Sequence, residues 1–126
     1  MKKQVISSNA PAPIGPYSQA IEYQGFIFVS GQIPLDVVTG EIETGDVEKA
    51  TYLVMNHLKS ILKAAGSSLD KVVKTSIFLK DMNDFAKVNE IYGSFFEGSI
   101  PPARETVQVA RLPKDVPVEI SVIAVK

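Results

Sequence analysis

The chain has 126 residues, 45% hydrophobic and 21% charged, which is enough for a single domain over 1–126 with its own core and too apolar for disorder. Thirteen Lys and Arg against fourteen Asp and Glu leave a net charge of −1, so no global basic field exists to hold nucleic acid or an anionic membrane. Cys is absent and His57 is the only His. This excludes disulfides, thiolate nucleophiles, iron–sulfur clusters and Cys- or His-rich metal sites, and a Ser-His-Asp triad would depend wholly on His57.

In chain order, Gln4 to Ser7 is predicted as a short edge strand. Asn9 to Pro16 carries three Pro and a Gly. This forbids helix and ladder alike and predicts a fixed extended loop that presents Tyr17 and Ser18. Tyr17 to Glu22 and Phe26 to Ser30 read as a hairpin turning at Tyr23-Gln24-Gly25. Gly31-Gln32-Ile33-Pro34 breaks the second strand, and residues 35–45 form a loop that turns at Thr39-Gly40.

Asp46 to Ala65 is the clearest helix. Val47, Thr51, Val54, Leu58, Ile61, Leu62 and Ala65 recur at spacings of three and four, with Thr44 or Asp46 as start cap and Gly66 as stop. His57 falls about 80° from the centre of that stripe, which assigns it a structural or solvated role. Val72 to Leu79 reads as a strand. A second helix runs from about Asp84 to Phe96, capped by Asp81 or Asn83, with Phe85, Val88, Tyr92 and Phe95 on its buried face. After Pro101-Pro102 come strands Arg104 to Ala110 and Val116 to Val125. The order β-β-β-α-β-α-β-β predicts an α+β fold, one mixed sheet with both helices on one face. The other face would be partly apolar, and a chain this small hides such a face in an oligomer.

Strand parity sorts the last two strands. Arg104, Thr106, Gln108 and Ala110 share one side, with Glu105, Val107, Val109 and Arg111 opposite. Val118, Ile120, Val122 and Ala124 form an apolar side, opposite Glu119, Ser121, Ile123 and Val125. A hairpin of these strands would put the Arg104 and Glu119 rows on one face. Such a face is either solvated with a cross-strand ion pair, or an anion site where Arg104 grips a carboxylate and Glu119 handles protons or water. Asn89 falls about 40° from Phe85 on the helix wheel, beside the buried stripe, and Ser30 ends an apolar strand. Each is either a local hydrogen-bonding group or part of a site.

Several blocks together resemble the reactive intermediate deaminase family (RidA type, also called YjgF). They are Ala12 to Ala20, Ser30 to Pro34, Val73-Lys74-Thr75, Lys80 to Phe85 with Val88-Asn89, Pro102-Ala103-Arg104, Val107, Val109 to Asp115, and Val118-Glu119-Ile120. The resemblance implies a chorismate-mutase-like two-layer fold and a homotrimer with ligand clefts between subunits. It implies hydrolysis of 2-enamine and 2-imine acids such as 2-aminoacrylate to 2-keto acids and ammonia, with no cofactor or metal. Apolar runs far shorter than the roughly 20 residues of a membrane helix, and a start without an apolar secretory stretch, predict a cytoplasmic protein. Carried over by position, Arg104 binds the substrate carboxylate and Glu119 activates water and moves protons. Tyr17 and Ser30 line the cleft, Asn89 holds its wall, and the backbone around Thr106 meets the imine. An imine is already electrophilic, so positioning and one carboxylate suffice.

The chain departs from the family pattern at Glu105, Thr106, Gln108, Ser121 and Val122. Parity turns Glu105 away from Arg104, which leaves the Arg free of it. Two other functions remain open at this level: a non-catalytic binder of keto or hydroxy acids, and an RNA-directed activity, against which the charge of −1 and the absence of a basic–aromatic stripe weigh.

Overall fold

The computed structural model describes residues 1–126. Six strands are present: β1 (Lys3–Val5), β2 (Ala20–Tyr23), β3 (Phe26–Gln32), β4 (Val72–Leu79), β5 (Ala103–Gln108) and β6 (Val118–Val125). There are two helices, α1 (Val47–Ala64) and α2 (Phe85–Ser94). The strands form one sheet in the order β1-β2-β3-β6-β4-β5. Only β4–β5 is parallel; the other neighbours run antiparallel. The chain order and the mixed sheet match the expectation.

Alternation along the strands fixes the layers. Ile27 and Val29 on β3, Thr75, Ile77 and Leu79 on β4, and Val118, Ile120, Val122 and Ala124 on β6 are buried. Nearly all of them join the α1 stripe of Val54, Leu58, Ile61 and Leu62, with Val88 and Tyr92 of α2, in one core. Asp46 caps α1 by accepting from the N–H groups of Glu48 and Lys49 at 3.1 Å each. Gly66, at φ 76°, ends it; the N–H groups of Gly66 and Ser67 return to the carbonyls of Lys63 and Leu62. Gln24 (φ 49°) and Gly25 (φ 81°) supply the two positive φ values of the tight β2–β3 turn.

Several boundaries moved, β3 running on through Gly31 to Gln32 instead of breaking there, and two moved for visible reasons. β2 begins at Ala20, not Tyr17, because the buried Gln19 side chain is spent on the preceding loop. Its Oε1 accepts from Ser7 N–H at 2.7 Å, and its Nε2 donates to the carbonyls of Ser7, Ala10 and Pro11. β6 begins at Val118 because Pro117 has no N–H for the ladder; its carbonyl instead accepts from Lys80 N–H at 3.0 Å.

The expected hairpin of the last two strands does not form. β4 lies between them, pairing Thr75 with Arg104 on one side and Phe78 with Glu119 on the other. Because α2 carries the chain from β4 back to a parallel neighbour, β5 occupies one edge of β4 and β6 must take the other.

His57 is structural. It is buried, and its Nε2 sits 2.6 Å from the Leu35 carbonyl, tying α1 to the 33–45 loop. Loss of water around the ring lowers its pKa, the Leu35 contact and Asp36 opposing in part. The sheet face away from the helices is open and partly apolar: Tyr23, Phe26, Phe28 and Val107 are each 43–44% exposed on it. No helix is long and apolar enough to cross a membrane.

Candidate functional site

The six candidate residues fall into two groups on opposite faces of the sheet. Thr75, Ile77 and Leu79 are the buried, helix-facing residues of β4, and their register partners on β5 are Arg104, Thr106 and Gln108. The Arg104 row therefore faces α2. Glu119 pairs with Phe78 and Ser121 with Ser76, on the side away from the helices. The expectation that one face carries both rows is corrected by β4 standing between them.

In the first group, Arg104 is held by one stripe of α2. Its Nη1 donates to Asn89 Oδ1 at 2.8 Å. Its guanidinium carbon lies 5.1 Å from the ring centre of Tyr92 and 5.7 Å from that of Phe85, within cation–π range. Phe85, Asn89 and Tyr92 follow the i, i+4, i+7 spacing of a single helix face. Asn89 thus holds the arginine rather than a loop carbonyl. Arg104 makes no ion pair; its remaining N–H groups are free to meet an anion. Beside it, the Thr106 hydroxyl is buried without a hydrogen-bond partner. Gln108 is taken up locally, its Oε1 accepting from Met82 N–H at 2.8 Å.

In the second group, Tyr17, Ser30 and Glu119 line a recess of ≈ 350 Å³ with Ile14, Gly31, Ile33 and Pro113. The proline-rich loop brings Tyr17 there, and β3 and β6 bring the other two. Ser30 Oγ donates to the Ser18 carbonyl at 2.7 Å and Ser30 N–H to the Gln19 carbonyl at 2.9 Å, fixing the loop to the sheet. The Tyr17 hydroxyl accepts from Ile14 N–H at 3.4 Å. Glu119 has neither a cation nor a hydrogen-bond donor beside it. Burial alone pushes its pKa up from the ordinary carboxylate value. Its carboxyl lies against Gly31, where a Cβ would come within 2.7 Å of Cδ and Oε2. A half-buried carboxylate without a counter-charge holds a proton more readily than an exposed one, which suits it to take and return a proton.

Glu105 faces away from Arg104, as parity requires. Ser76 Oγ donates to its Oε2, and Lys74 Nζ reaches Oε1 at 2.9 Å. The Ser76 hydrogen bond, then Lys74, lowers its pKa, so it stays ionised. Arg111, the other arginine, makes no ion pair. Sequence reasoning read Phe85 and Tyr92 as core and did not single out Gly31. The helix spacing pointed at the two aromatics, but only the position of β5 shows what they face.

The chain matches the family described as endoribonuclease L-PSP over residues 7–126. It is 55% identical to a RutC family protein of Pyrococcus horikoshii, over 100% of this chain and 99% of that one. It is 46% identical to a protein of Escherichia coli named 2-iminobutanoate/2-iminopropanoate deaminase, over 100% of this chain and 99% of that one. The crystal structure of E. coli TdcF with bound serine superposes with a TM-score of 0.94 at 44% identity, over 98% of each chain.

Proposed function

The chain belongs to the endoribonuclease L-PSP family, which takes in the YjgF and RutC proteins, and from that premise we propose that it hydrolyses 2-enamine and 2-imine acids to 2-keto acids and ammonia. The observation that carries this reading is that two groups stand unneutralised, one on each face of the sheet. Arg104 is held by Asn89 and two rings with donors to spare, and Glu119 is half-buried without a counter-charge. They stand at positions where the family resemblance puts a carboxylate binder and a proton carrier. The E. coli and mouse relatives named as iminobutanoate deaminases, at 46% and 47% identity, support the same reaction.

The chemistry follows from those groups. Arg104 takes the substrate carboxylate through its free N–H edge. For an enamine, protonated Glu119 delivers its proton to C3, giving the 2-imine acid. Water then adds to C2 as Glu119 accepts its proton, forming a carbinolamine. That proton goes to the amino nitrogen, the C–N bond breaks, and ammonia leaves as the C2 hydroxyl becomes the keto group and returns its proton to Glu119, which is then ready for the next enamine. Tyr17 and Ser30 wall the cleft, Asn89 holds Arg104, and the backbone near Thr106 meets the imine end.

Because Arg104 and Glu119 face opposite sides of one sheet, the reading places each complete site between two copies, in a homotrimer that covers the apolar open face. A pure binder of keto acids would need Arg104 and not an unpaired, half-buried Glu119. The net charge of −1 weighs against RNA binding. The test is a coupled assay in which the protein is added to a serine or threonine dehydratase. Wild type speeds release of 2-keto acid and ammonia, and Arg104→Ala does not. An inactive wild type, or a fully active Arg104→Ala variant, refutes the proposal.

A further inference from the structure

We propose that Tyr92, with Phe85 beside it, is a positioning residue that holds the Arg104 guanidinium in the pose that receives a carboxylate. This rests on the role given to Arg104 above.

A free arginine on an edge strand samples many rotamers and must lose them when it binds. Here the restraint is built beforehand. The two rings lie against the guanidinium and Asn89 occupies one of its N–H groups, which leaves the other edge for a planar anion. The Tyr92 ring is itself fixed. Its hydroxyl donates to Thr75 Oγ1 at 3.0 Å, and its ring packs on Phe96 with centroids 4.8 Å apart. Thr75 is fully buried and stands directly opposite Arg104 in the β4–β5 register. The tether therefore ends on the residue next to the arginine it serves. If the position only had to fill the core, a leucine would do so without burying a hydroxyl pair. Burial raises the Tyr92 pKa, so the phenol keeps the proton it donates.

The test compares wild type with Tyr92→Leu, Tyr92→Phe and Phe85→Leu. Three measurements are made: binding of 2-ketobutyrate by titration calorimetry, KM and kcat in the dehydratase-coupled assay, and NMR of the Arg104 side-chain Nε–H. Tyr92→Leu is expected to weaken binding and raise KM about tenfold, the scale of a partly desolvated cation–π contact, with kcat changed less. It also removes the ring-current shift of the Arg104 signal and lowers its order. Tyr92→Phe keeps the ring, loses the tether and falls between. A loss of core packing alone would lower the melting temperature without moving KM relative to kcat or the Arg104 signal. If Tyr92→Leu does not fold, Phe85→Leu, at a half-buried position, carries the test with a smaller change in the same direction. Folded variants with wild-type affinity, KM and Arg104 order overturn the proposal. A wild type that neither binds nor turns over refutes the deaminase reading instead, and the Arg104 signal still reports whether Tyr92 positions it.

Discussion

In Gly31→Ala the new methyl carbon would sit 2.7 Å from Cδ and Oε2 of Glu119 and 3.0 Å from its Cγ. These three nearest atoms all belong to the Glu119 side chain, and the Gly31 backbone lies outside the left-handed region that favours glycine. The relief must therefore come from Glu119. Ordinary contact begins at 3.4 Å, so the carboxyl moves by at least about 0.7 Å, to a distance where the repulsion vanishes. Turning a flexible side chain off its preferred rotamer costs about 0.5–1.5 kcal/mol. The alanine returns about 0.4–1 kcal/mol by reducing the freedom of the unfolded chain. The two terms nearly cancel, and the folded state should keep its stability to within about 1 kcal/mol.

Activity has no such compensation. Displacing a reacting group by close to 1 Å costs on the order of 10²-fold in rate. Gly31→Ala should therefore fall about a hundredfold in the dehydratase-coupled assay, while its urea midpoint stays near wild type. Binding of 2-ketobutyrate, which uses Arg104 on the other face, should fall far less than turnover. Full activity would refute the placement of Glu119 at the reacting atoms. A loss of several kcal/mol of stability would refute the claim that only a side chain yields.

Burial raises the Glu119 pKa, so the folded protein holds that proton more readily than the unfolded chain does. Its contribution to stability is present below the ordinary glutamate range and is lost as pH rises through the raised value. Glu119→Gln should thus melt above wild type at pH 7 to 8, with the gap closing near pH 4, and should be inactive; scanning calorimetry across that range checks it. Gln19→Leu removes four hydrogen bonds and leaves the Ser7 N–H and three carbonyls without their partner. It should cost about 3 kcal/mol by urea denaturation and lower activity by loosening the loop that carries Tyr17.

Much of this was legible because the signals were local. The α1 stripe, the Asp46 cap, the Gly66 stop and the Gln24-Gly25 turn depend on residues within a few positions of one another. Parity along β5 and β6 also held, including the turn of Glu105 away from Arg104. What failed was the partner of β5. Proximity in sequence suggested pairing with β6, yet β4, α2 and β5 form a strand–helix–strand unit, whose strands run parallel and can lie side by side. That unit takes one edge of β4 and sends the Arg104 row to the helix face. The same displacement explains why Phe85 and Tyr92 looked like plain core. Their spacing was visible in the sequence, but their charge partner arrives from a strand whose place was misjudged. Gly31 carries no local signal, since its bare Cα matters only once β3 and β6 are paired.

The split of the two groups across the sheet leads to a quantitative test of assembly. No single chain can close Arg104 and Glu119 on one small acid, because the sheet lies between them. In a closed ring each site would take Arg104 from one copy and Glu119 from its neighbour. Arg104→Ala and Glu119→Ala are then each inactive alone. When the two are unfolded together in equal amounts and refolded, copies enter the ring at random. A given site is complete only when the copy supplying the arginine is the Glu119→Ala variant and the copy supplying the glutamate is the Arg104→Ala variant. Each condition is met half the time, so about one quarter of wild-type activity should return in the symmetric ring. If both residues served a site within one chain, no mixture would hold a complete site and none would return. Mixed oligomers seen by native mass spectrometry with no recovered activity would refute the shared site.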